Sequence, residues 1–186
     1  MSKPLLIGLT GPAGAGRSTA AQYLEERWAF VEIALAEPIR DMLAALFHAA
    51  DIPDAWMTSR ALKEQPTPLG FSYRHMAQTL GTEWGRSTLS PGFWLRLATL
   101  RLERPHLQGE SVVVSDVRFP NEAAWLKARG GVLVRIERAS PAIAAHESEQ
   151  HWRQLGAEHV IDNNGSRAAL CDQLDALIHT PEEPTP

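Results

Sequence analysis

Apolar residues along this chain come in two rhythms. Short unbroken runs stand at Leu5–Thr10, Phe30–Leu35, Ser111–Ser115, Val132–Glu137 and Val160–Ile161, and their length suits buried strands. Between them the spacing stretches to that of helices. Ala20, Ala21 and Leu24 begin one such pattern, and Ile39, Met42, Leu43, Leu46 and Phe47 fall at i, i+3, i+4, i+7 and i+8, one apolar face. Further helices are predicted from near Ser72, from Ser90 as cap with Pro91 at the first position, over Glu122–Arg129 closed by Gly130-Gly131, and over Ser166–Ile178. Strands alternating with helices predict an α/β fold with a mainly parallel sheet covered on both faces. Ligands of such folds bind at the carboxyl ends of the strands.

Between Ala50 and Gly70 the periodicity dissolves into Pro-, Thr- and charge-rich sequence, longer than an ordinary loop. This stretch reads as a substrate-side insertion. The Pro- and Glu-rich end, 180–186, reads as a disordered tail. A length of 186 residues, 44% of them hydrophobic, suits one core, so 1–179 reads as a single domain.

Charge narrows the partners. A formal net charge of -4 without a dense Lys/Arg run offers no footprint for a nucleic-acid duplex or an anionic membrane. No run approaches a membrane span and the start carries no signal-peptide pattern, so a cytoplasmic location is expected. The single cysteine, Cys171, lies among Leu170, Leu174, Leu177 and Ile178 at helical spacing and reads as core. His146 and His151 stand five apart, whereas a zinc-protease helix needs histidines four apart on one face, which rejects that metal site.

The most specific chemistry lies at Gly11-Pro12-Ala13-Gly14-Ala15-Gly16-Arg17-Ser18, between a predicted strand and a predicted helix. It matches the Walker A pattern at every fixed position except Arg17, which replaces lysine. Glycines permit the tight turns that let backbone N–H groups converge on phosphate oxygens, and the following helix adds the positive end of its dipole. Gly11, Ala13, Gly14, Ala15, Gly16, Arg17, Ser18 and Thr19 are therefore the candidate nucleotide-binding residues, with Ser18 a magnesium ligand. Arginine keeps the charge and adds a planar fork, but it is bulkier and donates in fixed directions. Asp116 follows an apolar strand, where a carboxylate reaches magnesium or its waters; a turn aspartate is the plainer role. Arg118 is placed to meet transferred phosphate or to stand on the surface. Arg40, Lys63, Arg74 and Arg86 are candidates for an acceptor phosphate and equally for solvated helix charges, as are Arg135 and Arg138. Trp84 is the tryptophan kept open as a base-stacking platform.

Together these residues resemble the phage-type deoxynucleoside monophosphate kinases, from Ile7 to about Leu177. Tyr73-Arg74, Gln78-Thr79-Leu80-Gly81-Thr82-Glu83-Trp84-Gly85-Arg86 and Val114-Ser115-Asp116-Val117-Arg118-Phe119-Pro120-Asn121-Glu122 look like the family's signature segments. Ala36-Glu37-Pro38-Ile39-Arg40, Lys63-Glu64, His146-Glu147-Ser148-Glu149 and Asn163-Asn164-Gly165 match more weakly. The resemblance implies a three-layer P-loop NTPase fold on a five-stranded parallel sheet, a helical acceptor-binding insertion at about 50–104 and a lid at about 138–158. It further implies ATP with Mg2+ as donor, a deoxynucleoside monophosphate as acceptor, and a homodimer as one assembly. Carried onto this chain, Arg17, Asp116 and Arg118 take catalytic roles, Ser18 and Asp116 hold metal, and Arg40, Lys63, Arg74, Gln78, Glu83, Trp84, Arg86 and Arg138 bind acceptor. Two rivals remain on sequence: a P-loop kinase for another small molecule, and a nucleotide-binding protein that has lost transfer because of Arg17.

Overall fold

A computed structural model describes residues 4–139 and 151–179. Its strands are β1 Leu6–Thr10, β2 Val31–Ile33, β3 Val112–Val114, β4 Val132–Glu137 and β5 His159–Asp162. They form one sheet in the order β2-β3-β1-β4-β5, and every neighbouring pair is parallel. The helices are α1 Arg17–Trp28, α2 Glu37–Ala49, α3 Ala55–Thr58, α4 Tyr73–Thr79, α5 Phe93–Gln108, α6 Pro120–Lys127 and α7 Arg167–His179, with a π-helix over Leu80–Leu89 directly after α4. The expected five-stranded parallel sheet is present.

The chain forms two compact units, Met1–Ala34 with Leu100–Pro186 and Leu35–Thr99. In the first, alternation along β1 sends Ile7 and Leu9 to one face of the sheet, where with Val113, Val134, Ile136 and Ile161 they meet Ala20, Ala21 and Leu24 of α1 and Leu170 and Leu174 of α7. The opposite face takes α6, whose Leu126 is fully buried. Tyr23 and Trp28 of α1 both donate to the Asp175 carboxylate of α7, at 2.7 and 2.8 Å, which ties the two helices that share a face.

The second unit has its own core of Ile39, Leu43, Phe47, Ile52, Tyr73 and Trp94. It runs from Leu35 to Thr99, and α2 contributes its apolar face to this core. That face is narrower than the periodicity suggests: Ile39, Leu43 and Phe47 are buried, while Met42 and Leu46 are 39% and 44% exposed. α4 starts where expected, and Ser72 caps it by accepting from the His75 amide. Ser90 does not cap α5, which begins three residues later at Phe93; among the described residues its hydroxyl is buried without a hydrogen-bond partner. Cys171 is half-buried, not core, since its neighbours Leu170 and Leu174 take the inward positions. Most of the expected lid at about 138–158 and all of the expected tail lie outside the described residues. Among the described residues, no helix is long and apolar enough to cross a membrane.

Candidate active site

The loop between β1 and α1 is built from three glycines with positive φ: Gly11 at 141°, Gly14 at 79° and Gly16 at 105°. Side chains avoid that region, so the sequence commits this loop to a turn that other residues would strain. Gly16 is the N-terminal boundary of α1 and provides no side-chain cap. A helix start without a side-chain cap suits an anion, which first-turn amides and the helix dipole favour. Arg17, half-buried, opens the helix; Ser18 is exposed and Thr19 half-buried beside it. Ala13 is half-buried, Gly14 exposed, and Ala15 buried at 1%. Thr10, fully buried at the end of β1, has a hydroxyl without a hydrogen-bond partner among the described residues.

Asp116 follows β3, the strand that pairs with β1. β1 and β3 pair with Leu6 opposite Val112 and Gly8 opposite Val114. The ladder ends there: Ser115 and Asp116 form a turn beyond β3, and the Val117 amide donates to the Leu9 carbonyl at 3.0 Å, one residue later than the register would carry it. Asp116 and Arg118 are both half-buried. The loop that carries them is held by Glu122, a residue sequence reasoning left without a role. Its Oε2 accepts from the Arg118 and Phe119 amides at 2.7 and 3.0 Å, and it is only 3% exposed. Pro120 at the first position and Glu122 at the third start α6 two residues earlier than the periodicity predicts. The chemical signal was the Pro-x-Glu spacing after the loop.

The expected acceptor residues of the second unit fall into two groups. Lys63 places its ammonium 5.6 Å from the ring centroid of Tyr73, and Arg74 pairs with Glu64. Burial holds the Lys63 amine below its ordinary range, and the nearby Arg74 and Arg40 push it the same way. Tyr73, 7% exposed, has its phenol pushed up by burial, opposed by Arg40 and Arg74. Arg40 itself is exposed on α2. Lys63, Arg40, Arg74 and Tyr73 thus form one basic cluster, of which the sequence indicated the cations but gave Tyr73 no role. Gln78 on α4 is half-buried, and Glu83, Trp84 and Arg86 follow on the π-helix. Trp84 is 37% exposed and packs edge-on against Phe93, centroids 5.4 Å apart. One side of its indole is therefore committed to packing. In the first unit Arg138 is exposed just beyond β4, and Arg135 is turned to Glu137 by a 2.8 Å hydrogen bond. Among the described residues no cluster of three His, Cys, Asp or Glu side chains could hold a metal ion.

A strand, a glycine loop of positive-φ turns and a helix on a parallel sheet, with an aspartate two residues past the neighbouring strand β3, define a P-loop α/β protein. TT1252 of Thermus thermophilus superposes with a TM-score of 0.54 at 19% identity, covering 97% of this chain and 100% of its own. A shikimate kinase from Bacteroides thetaiotaomicron gives 0.50 at 14%, covering 95% and 99%. At those identities the likeness is one of fold. Sequence is more specific: residues 58–174 match the model of the family "Deoxynucleotide monophosphate kinase". A protein of Acanthamoeba polyphaga mimivirus named "Putative deoxynucleotide monophosphate kinase" is 34% identical over 192 residues, 94% of this chain and 96% of its own. The chain belongs to the deoxynucleotide monophosphate kinase family and is a kinase, a phosphotransferase acting on nucleotides.

Proposed function

We propose that this kinase transfers the γ-phosphoryl group of ATP to a deoxynucleoside monophosphate, giving the diphosphate and ADP. The observation that carries the reading is the positive-φ glycine loop between β1 and α1, with Asp116 two residues past β3, the strand paired to β1. Backbone amides of Ala13, Gly14 and Gly16 to Thr19 and the Arg17 guanidinium hold the donor phosphates, with Gly11 and Ala15 shaping the loop. Ser18 and Asp116 offer two hard oxygen donors, too few for a dedicated cage, which fits Mg2+ carried in with the triphosphate and otherwise bound by phosphate and water. When bound, that ion neutralises charge on the bridging phosphate oxygens. Arg118 meets the transferred group, whose equatorial oxygens carry the transition-state charge. Lys63, Arg40, Arg74 and Arg86 hold the acceptor phosphate, while Gln78, Glu83 and Trp84 face its nucleoside. An oxygen of the acceptor phosphate attacks the γ-phosphorus in line as the bond to ADP breaks. That nucleophile is already ionised, so positioning and charge do most of the work and no strong protein base is required.

The test is a coupled ADP-release assay with ATP, magnesium and each deoxynucleoside monophosphate in turn, beside Arg17→Lys and Arg17→Ala. Turnover dependent on the acceptor, reduced by roughly two orders of magnitude or more in Arg17→Ala and retained in Arg17→Lys, is expected. Saturable ATP binding with no turnover on any acceptor, even in Arg17→Lys, would replace the reading with that of a binding protein.

A further inference from the structure

Where the amides of a loop serve phosphate, its carbonyls need donors from elsewhere. One of them, on Ala15, is supplied from a distant part of the chain. The Asn163 side chain donates through Nδ2 to the Ala15 carbonyl at 2.7 Å, a fully buried bond across 148 residues of sequence. Asn163 is 8% exposed, and its own amide donates to the Glu137 carbonyl at the end of β4, at 2.8 Å. The next residue of the P-loop is shaped for this contact. A Cβ on Gly16 would lie 2.3 Å from Asn163 Nδ2, so a side chain there would expel the amide. The opening of the loop is pressed onto the same strand, since a Cβ on Gly11 would lie 2.2 Å from the Ile136 carbonyl oxygen. The two ends of the P-loop are therefore fixed to the carboxyl end of β4, one directly and one through Asn163.

We infer that Asn163 is a positioning residue for the donor nucleotide: by holding the Ala15 carbonyl outward it aims the Gly16 and Arg17 amides at the phosphates. This rests on the reading of the P-loop as the ATP site. It touches no substrate and acts only through the loop. Its position is also the one that a P-loop with arginine in the lysine place depends on, because a guanidinium donates in fixed directions and tolerates less drift of its backbone than an ammonium.

The experiment uses the whole protein and three forms, native, Asn163→Ala and Asn163→Asp, in steady-state assays with ATP and the best acceptor. Asn163→Ala is expected to raise the KM for ATP roughly ten- to a hundred-fold, the scale of one buried carbonyl left unsatisfied, with the acceptor KM within about two-fold of native. A residue that merely held the fold together would lower the active fraction, and so the apparent kcat, while leaving both KM values alone. Asn163→Asp supplies a second readout. An ionised carboxylate cannot donate to Ala15 and is disfavoured by burial, which raises its pKa; protonated, it can donate again. Its kcat/KM for ATP, taken relative to native, should therefore climb as pH falls, whereas the Asn163→Ala ratio stays flat. If Asn163→Ala fails to fold, the slope of the Asp variant decides. Native ATP KM in Asn163→Ala, or a flat Asp ratio, overturns the inference. Failure of the native protein to bind or use ATP would instead overturn the reading beneath it.

Discussion

Lys63 shows what a single residue contributes when its surroundings are known. The charge needed to hold an acceptor phosphate is the charge that burial, Arg74 and Arg40 together disfavour. Its proton is therefore lost below the ordinary 10.5. The acceptor affinity it supplies is present in full below that lowered pKa and disappears as pH rises through it. The acceptor KM of the native enzyme should accordingly rise on the alkaline side, starting before an exposed lysine would titrate. Lys63→Arg, which stays charged, should flatten the profile over the same range, and Lys63→Ala should show a high KM throughout. A native profile that superposes on that of Lys63→Arg would remove Lys63 from the acceptor site. Stability follows the same proton with the opposite sense: the unfolded chain holds it longer, so folding gains as pH climbs from the lowered value toward 10.5. At this scale the sequence was informative about charge and uninformative about environment. Lys63, Arg74 and Arg40 were legible as cations, but nothing in their spacing tells that Tyr73 is buried under the Lys63 ammonium. Glu122 and Asn163 were silent for the same reason. Their partners are backbone groups, and a backbone group leaves no letter in the sequence.

Among the elements, the strands were legible because burial on both faces writes a plain apolar run, as in Val112-Val113-Val114, all three buried. The segment after α4 was not. Leu80–Leu89 is a π-helix, and its turns are wider than the 3.6 residues that a helical periodicity looks for. The tertiary cause is visible around Trp94, which is 4% exposed and whose Nε1 donates to the Gly81 carbonyl at 2.8 Å. Gly85 lies against that ring, and a Cβ there would come within 2.4 to 2.7 Å of three indole atoms. The indole is pinned by its own hydrogen bond and core packing, so it has little room to withdraw. Gly85→Ala is therefore expected to destabilise the protein by about 1–3 kcal/mol, seen as a lower urea midpoint with unchanged slope. Because Trp84 and Arg86 flank Gly85 on the same turn, the acceptor KM should rise several-fold while the ATP KM stays near native. A variant that loses stability but keeps its acceptor KM would show that the π-helix is packing alone, and would leave Trp84 and Arg86 without a substrate role.

For the whole molecule, the division into two units separates the two halves of the proposed chemistry along the chain. Every residue assigned to ATP and magnesium, from Gly11 to Thr19 and at Asp116 and Arg118, belongs to the unit of Met1–Ala34 with Leu100–Pro186. All but one of those assigned to the acceptor, from Arg40 to Arg86, belong to Leu35–Thr99; the exception is Arg138. Periodicity revealed that something interrupts the α/β alternation, but it placed the interruption at the loss of pattern near Ala50. The second compact unit begins before α2, a regular amphipathic helix whose Ile39, Leu43 and Phe47 enter that unit's core. The separation makes ligand protection a direct test of the assignments. Bound ligand lowers the population of locally opened states in the segments it contacts, which slows amide hydrogen exchange there. A non-hydrolysable ATP analogue with magnesium should slow exchange in peptides covering Leu6–Trp28 and Val112–Phe119. A deoxynucleoside monophosphate alone should act on peptides covering Leu62–Leu89 and leave the P-loop peptides unchanged. If the monophosphate instead protects the P-loop and spares Leu62–Leu89, the second unit is not the acceptor site, and the basic cluster around Tyr73 serves another anion.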